Sequence, residues 1–213
     1  SKGIAEEDIF VNYTPFGHSD WATIVGDVVA LGQDGKQGGV VSTINGDANI
    51  GFYKELAAAD VSADDIPVVA FSVGEEELSG LDTSNLVGHL AAWNYFMSAD
   101  TPANAEFIEQ WKTSIGDDKR VTNDPMEAHY IGFNMWVNAV EAAGTTDVDA
   151  VREAMWGQEF PNLTGGTAEM LVNHHLSKPV LIGEITADGQ FDIISQTDPV
   201  PGDAWTDFLP ESA

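Results

Sequence analysis

Two short polar segments follow apolar runs in the first half of the sequence, and both carry side chains that bind small polar molecules. Asn45 and Asp47 come shortly after Val40–Thr43, and Glu75 comes shortly after Pro67–Ser72. If the two runs are neighbouring parallel strands, their carboxyl ends share one edge of a sheet, which is where open α/β sheets bind ligands. Carboxylate and amide oxygens at that edge would accept hydrogen bonds from a ligand. The same residues also fit local roles, as a turn with a helix N-cap and as the acidic first turn of a helix.

An aromatic segment lies where a third predicted strand passes into a loop, and it contains Trp93, Asn94 and Tyr95. Aromatic rings usually belong to the core, but at a loop position they can form a flat wall against a planar ligand. Asn94 would supply a polar group between the two rings. The predicted ligand-binding residues are therefore Asn45, Asp47, Glu75, Trp93, Asn94 and Tyr95.

No motif for catalysis or for a metal stands out. The sequence contains no cysteine and five histidines, of which His174 and His175 are adjacent. Neighbouring residues of a strand point to opposite faces, so this pair cannot readily hold one metal ion, and a structural or surface role is favoured. The HExxH, GxGxxG, Walker and GxSxG patterns do not occur. We therefore predict a protein that is not an enzyme, with no catalytic residues, no metal and no cofactor.

Alternating strands and helices position the candidate residues in the first third of the chain. Strands are predicted at Asp8–Tyr13, Val40–Thr43 and Pro67–Ser72, with amphipathic helices after Ser19 and around residues 50–56. Strands rich in Val and Ile that are joined by helices of about a dozen residues pair in parallel through right-handed crossovers. The predicted fold class is α/β, with a parallel sheet flanked by helices.

The rest of the chain is predicted to contain one more strand, three helices and a final hairpin. The apolar spacing and the capping signals indicate a strand at Val87–Trp93, followed by the helices. Ala187-Asp188-Gly189 is a hairpin turn signal between two short strands. The predicted ranges are 102–115, 126–144 and 148–156 for the helices, and 180–186 and 190–195 for the hairpin strands.

The net charge of the chain is strongly negative. Across 213 residues, 35 Asp and Glu stand against 8 Lys and Arg, which gives −27. Such a surface repels nucleic-acid phosphates and anionic lipid, which excludes both as partners. No apolar run approaches the ~20 residues of a transmembrane helix, so direct membrane insertion is not expected. Because salt screens repulsion between carboxylates, the acidic composition indicates a halophilic setting.

We expect the full encoded protein to gain melting temperature in molar NaCl. The screening length falls from ~10 Å at ~0.1 M to ~3 Å at ~1 M, which relieves the repulsion between surface carboxylates. The affinity for a neutral ligand should change by less than about tenfold over the same range. Thermal melts and ligand titrations at about 0.1 and 2 M NaCl measure both effects. A melting temperature that stays flat or falls with salt would contradict the halophilic interpretation.

Six stretches spread along the whole chain carry a resemblance to a known family. They are NYTPFGHSDW (12–21), VVSTINGDANIGFYKEL (40–56), PVVAFSVGEEELSG (67–80), GHLAAWNYFMSADTP (88–102), RVTNDPMEAHYIGFNMW (120–136) and NHHLSKPVLIGEI (173–185). These stretches resemble the urea-binding proteins of bacterial urea ABC transporters, within the wider type I periplasmic binding proteins. The resemblance implies two α/β lobes that close on a hinge over the ligand. It also implies a periplasmic or extracellular receptor that delivers urea or a short-chain amide to the permease subunits of an ABC transporter.

The resemblance further implies how the chain divides between the lobes. Residues 1–86 would belong to lobe two, without its first strand and helix, and residues 87–164 would be helices of lobe one. Residues 165–213 would return to lobe two and form the hinge and tail. Such a chain is expected to expose a sheet edge and apolar helix surface, and so to self-associate or stay partly unfolded when made alone.

The chemistry of urea agrees with the candidate residues. Urea is planar and neutral, with four N–H donors and one carbonyl acceptor, so acceptors around an aromatic wall suit it. Other functions remain open on the sequence alone. They are a branched-chain amino-acid receptor or a cytoplasmic amide-sensing regulator on the same fold, and an amide hydrolase.

Overall fold

The computed structural model describes residues 3–31 and 37–203 of the chain. A 3₁₀ turn spans Glu6–Asp8. The helices are α1 Ala22–Leu31, α2 Ala48–Ala58, α3 Glu75–Leu78, α4 Pro102–Ile115, α5 Asp124–Ala143 and α6 Val148–Met155. The strands are β1 Val40–Ser42, β2 Val68–Ala70, β3 Leu90–Trp93, β4 Glu159–Pro161, β5 Thr167–Met170, β6 Leu176–Ser177, β7 Leu181–Ile185 and β8 Phe191–Gln196. The end of the predicted tail, residues 204–213, lies outside the described residues.

A five-stranded mixed sheet in the order β1-β2-β3-β7-β8 forms the first unit. β1, β2 and β3 pair in parallel, whereas β7 is antiparallel to β3 and β8 is antiparallel to β7. The ring of Phe96 stacks on Phe191 with centroids 4.4 Å apart. A β-carbon at Gly183 would lie 2.8 Å from the Phe96 ring, so only glycine lets this ring lie against the sheet. The α/β prediction is therefore confirmed, with an antiparallel addition to the parallel strands.

The predicted first strand, Asp8–Tyr13, is wrong. Residues 9–15 adopt no strand, and the side chains of Phe10 and Tyr13 are 70% and 95% exposed. A strand is stabilised by hydrogen bonds to a neighbour, and no described strand pairs with this segment. β1 instead forms the edge of the described sheet, with the side chain of Val41 exposed. An exposed sheet edge was expected, whereas self-association stays a prediction.

The second unit is helical and carries a small antiparallel sheet, β4-β5-β6. Its three helices, α4, α5 and α6, confirm the predicted helices. Capping and stop residues close to the helix ends explain why the sequence pattern could predict them. The hydroxyl of Thr101 caps α4 by accepting from the N–H of Asn104 at 3.1 Å, and the side chain of Asn123 caps α5 by accepting from Met126 at 3.2 Å. Gly144 ends α5 with φ +62°, which favours glycine.

Strand pairing shows where the chain passes between the two units. β3 belongs to the five-stranded sheet, so the chain enters the helical unit after Trp93. β5 and β6 pair within the small sheet, so the chain rejoins the large sheet at Leu181. Two described segments therefore run between the units: residues 94–101 on the way out, and residues 178–180 on the way back.

Candidate functional site

The carboxyl ends of β1 and β2 lie side by side, as strand pairing requires. A buried residue of α2, Asn49, holds the two loops together, because its side-chain amide donates to the carbonyls of Ile44 at 2.9 Å and Ser72 at 3.0 Å. This amide brings the segments that carry Asp47 and Glu75 to one edge. Sequence reasoning missed Asn49, since an asparagine near a helix start fits many roles.

Asp47 and Asn45 lie on the exposed side of this edge. Asp47 precedes α2, yet its side chain makes no capping hydrogen bond, so the predicted N-cap role is not observed. The side chain of Asn45 donates to the carbonyl of Thr43 at 3.2 Å. The carboxylate of Asp47 is therefore free of a local capping role at the sheet edge.

Gly74 and Trp93 meet at the start of α3. A β-carbon at Gly74 would lie 3.2 Å from the Trp93 ring and 3.6 Å from the β-carbon of Asn123. The N–H of Gly74 donates to Glu77 at 2.9 Å, which fixes that carboxylate over the helix start. Burial raises the pKa of Glu77, and the nearby carboxylates of Glu76 and Asp47 raise it further. Glu77 therefore lies with Asp47 and Glu75 at the end of the sheet that we call the acidic edge. The prediction from sequence selected only Glu75 from the three adjacent glutamates.

Glu75 is the most deeply buried carboxyl of this edge, with 1% of the residue exposed. Its Oε1 accepts the backbone N–H of Met97 at 2.6 Å, whereas its Oε2 has no hydrogen-bond partner. Burial raises the pKa of the carboxyl to about 8, while backbone N–H groups act in the opposite direction. A buried polar atom without a partner is costly, and Oε2 of Glu75 is such an atom.

A cavity of about 430 Å³ lies beside α3, between the two units, and Glu75 contributes to its wall. Three basic residues also line it: Lys112, Lys119 and Arg120. Arg120 forms an ion pair with Glu76 at 3.4 Å, and both side chains are partly exposed. The other lining residues are Leu78, Ser79, Gly80, Leu81, Thr83, Met97, Val121, Ala187, Asp188, Gly189 and Gln190.

The aromatic segment divides into three different roles. Trp93 is half-buried next to Gly74. The side-chain amide of Asn94 donates to the carbonyl of Pro179 at 2.8 Å and so braces the two segments that run between the units. Tyr95 is fully buried, with its hydroxyl 2.7 Å from both Asn104 Oδ1 and Thr122 Oγ1. The structure therefore brings Asp47, Glu75 and Trp93 to one edge and turns Tyr95 into the helical unit.

A buried charged cluster supports these two segments from the first turn of α5. The ammonium of Lys178 pairs with Glu127, and both side chains are almost completely buried. Asp124 accepts the N–H of Asn94 at 2.9 Å. Burial raises the pKa of Glu127 to about 7 and that of Asp124 to about 6, and Lys178 opposes both shifts. Sequence reasoning missed this cluster, although a lysine in a lysine-poor chain and two acids one helical turn apart are its signals.

The two adjacent histidines do not lie in a strand as predicted. His174 occupies a turn between β5 and β6 with φ +62°, and the indole N–H of Trp156 lies 3.3 Å from its ring. In the described part of the chain, no three His, Cys, Asp or Glu side chains are grouped so that they could hold a metal ion. Across residues 3–31 and 37–203, no helix is both long and apolar enough to cross a membrane.

Comparison with curated proteins gives two kinds of relative. The chain is 24% identical over 174 residues to the Leu/Ile/Val-binding protein homolog 6 of Brucella melitensis, which covers 80% of this chain and 43% of that protein. It is 36% identical over 116 residues to a limonene hydroxylase of Geobacillus stearothermophilus, which covers 54% of this chain and 21% of that protein.

Solved structures share the fold. A solute-binding protein of an ABC transporter from Rhodopseudomonas palustris HaA2, in complex with p-hydroxybenzoic acid, superposes with a TM-score of 0.75 at 20% identity, over 88% of this chain and 51% of that one. The leucine-binding protein LivK of Thermotoga maritima superposes with a TM-score of 0.63 at 17% identity, over 86% and 50%. The chain thus spans about half the length of these structures. The sequence profile of the periplasmic binding protein domain matches residues 1–211, and the chain therefore belongs to that family, with the type I α/β fold.

Proposed function

We propose that the chain is part of the extracytoplasmic solute-binding component of an ABC transporter, which binds urea or a short-chain amide and delivers it to the permease without chemistry. The observation that carries the proposal is the Glu75 carboxyl, which is 1% exposed and leaves Oε2 without a partner at a cavity wall. Membership of the periplasmic binding protein family supports the transport role.

The acidic edge supports a ligand that is rich in N–H donors. Urea carries four N–H donors, and Asp47, Glu75 and Glu77 offer carboxyl oxygens within one short stretch of sheet edge. The half-buried ring of Trp93 offers a flat wall beside Gly74, and the amide of Asn45 adds a polar group on the outer side. Asn94 and Tyr95 act on the site through the segment that carries Trp93, since their side chains have other partners.

A receptor for amino acids or aromatic acids is the second candidate. It is favoured by the likeness to a Leu/Ile/Val-binding protein homolog and by the basic residues that line the cavity. Such ligands carry a carboxylate, for which Lys112, Lys119 or Arg120 would be natural partners. An amide ligand does not need these cations.

Isothermal titration of the full encoded protein with urea, acetamide, leucine and 4-hydroxybenzoate tests the proposal. We expect heat with urea and acetamide only. A ligand that lacks the amide N–H groups would leave the acceptors of the site buried without partners, which disfavours its binding. Binding of leucine or 4-hydroxybenzoate without binding of either amide would overturn the amide assignment. Release of ammonia from urea would instead indicate the hydrolase, and a signal peptide encoded in the parent gene would exclude the cytoplasmic regulator.

Two matched tryptophan variants locate the binding site in the same assay. Trp93→Ala should weaken urea binding by at least about tenfold, because it removes the wall beside Gly74. Trp136→Ala should leave the affinity unchanged, since that partly exposed ring stacks on Phe133 in the helical unit. Equal losses in both variants would show that the effect is not specific to the sheet edge.

A further inference from the structure

We propose that Glu75 meets the ligand as an uncharged carboxylic acid, whose O–H donates to the carbonyl oxygen of a small neutral amide. This inference rests on the proposed function and specifies how the same site recognises its ligand. Asp47 and Glu77 do not line the cavity that Glu75 lines, and a small amide in that cavity needs a donor for its oxygen as well as acceptors for its N–H groups. A protonated Glu75 would supply that donor.

The surroundings of Glu75 favour the neutral form. The carboxyl is 1% exposed, and in the described part of the chain no Lys, Arg or His forms an ion pair with it. Transfer of a carboxylate into such a site costs far more than transfer of the neutral acid. The N–H of Met97 donates to Oε1 at 2.6 Å, and the backbone N–H groups of Glu75 and Ser98 also favour the ionised form, but the effect of burial is larger. The raised pKa of about 8 agrees with this geometry.

Charged and titratable groups face Glu75 from each neighbouring element. On α3 itself Glu77 raises its pKa, and Tyr95 of the outgoing segment lies within electrostatic range. The C-terminal turn of α4 and the loop after it bring Lys112, Lys119 and Arg120 to the cavity, and the β7–β8 hairpin brings Asp188. Lys112, Lys119 and Arg120 favour the ionised form of Glu75, although Arg120 is already paired with Glu76. The acidic residues Glu77 and Asp188 oppose ionisation of Glu75.

A two-point contact between acid and amide requires the carboxyl of Glu75 to turn toward the cavity that this residue lines, because Oε2 is itself buried and has no partner. In that position its O–H would donate to the ligand carbonyl. Oε1 uses one lone pair for Met97 and can accept a ligand N–H with the other. A neutral glutamine would keep this donor-and-acceptor pattern, whereas an ionised glutamate would lose the donor.

The pH dependence of urea binding to the full encoded protein tests this inference. We expect the wild-type affinity to be constant from about pH 6 to 7.5 and to fall about tenfold per pH unit above the pKa of Glu75. Glu75→Gln should bind urea within about threefold of wild type at about pH 7 and should lose the pH dependence. Glu141→Gln, which removes an exposed charge in the last turn of α5, should keep the wild-type profile.

The outcomes separate this inference from the proposed function. If the wild type binds neither urea nor acetamide at any pH, the proposed function is overturned and this inference falls with it. If the wild type binds urea with an affinity that is flat or rising up to about pH 9, Glu75 acts as a carboxylate and only this inference is overturned. The wild-type profile decides this alone, even if Glu75→Gln does not fold.

Discussion

Replacement of Lys178 by methionine is expected to lower the free energy of unfolding by about 3–5 kcal/mol at about pH 8. The side chain of Lys178 is 7% exposed and is paired with Glu127, which is completely buried. Removal of the cation leaves Glu127 and the neighbouring Asp124 without the charge that opposes their desolvation. Guanidinium unfolding measures the effect, and the loss should shrink at about pH 5, where both acids take up protons.

Two further variants distinguish a buried pair from a surface pair. Arg152→Met removes an exposed ion pair with Asp149, which is 3.4 Å long, and should cost less than about 1 kcal/mol. The double variant Lys178→Met with Glu127→Met should recover part of the loss, because apolar side chains can replace a buried pair. The interpretation fails if Lys178→Met is as stable as Arg152→Met at about pH 8.

Stability is expected to fall by roughly 3 kcal/mol or more between about pH 5 and 8.5, at ~1.4 kcal/mol per unit of pKa shift. Three buried carboxyls have raised pKa values in the folded protein, about 8 for Glu75, 7 for Glu127 and 6 for Asp124. In this window the folded state binds more protons than the unfolded state, so the free energy of unfolding decreases as pH rises. Most proteins with paired surface carboxylates show the opposite slope.

A histidine works against this behaviour at its acidic end. His89 is fully buried, its Nδ1 accepts the N–H of Val68 at 3.1 Å, and burial lowers its pKa. Below its unfolded pKa of about 6.5, protonation of His89 favours the unfolded state, so the gain in stability on acidification should become shallower below about pH 6.5. Guanidinium unfolding at constant molar NaCl measures the curve without the surface repulsion. Stability that rises steadily from about pH 5 to 8 would contradict the assignment of raised pKa values.

Local signals predicted the helical unit well. The caps at Thr101 and Asn123 and the stop at Gly144 involve residues within one turn of the helix they limit. The strand predicted at Asp8–Tyr13 failed because a strand also needs a partner, and its apolar pattern contains no information about one. Pairing of distant segments is the part of the fold that a single sequence determines least directly.

The candidate site shows the same limit. The strand-end rule correctly predicted that the segments of Asp47 and Glu75 share one edge, because parallel neighbours always bring their carboxyl ends together. Pattern alone could not separate Trp93 at the edge from Tyr95 in the core, since both are aromatic residues at a strand end. The Glu127–Lys178 pair joins residues 51 positions apart and follows only from the three-dimensional path of the chain.

The interrupted order of the five-stranded sheet has a consequence for synthesis on the ribosome. β1, β2 and β3 are made first, but the edge of β3 that pairs with β7 must wait until the helical unit has been translated. At ~5–20 residues per second, that interval lasts several seconds. The helical unit is contiguous from α4 to β6, so we expect it to fold before β7 covers the open edge of β3, and until then that edge can pair with other chains.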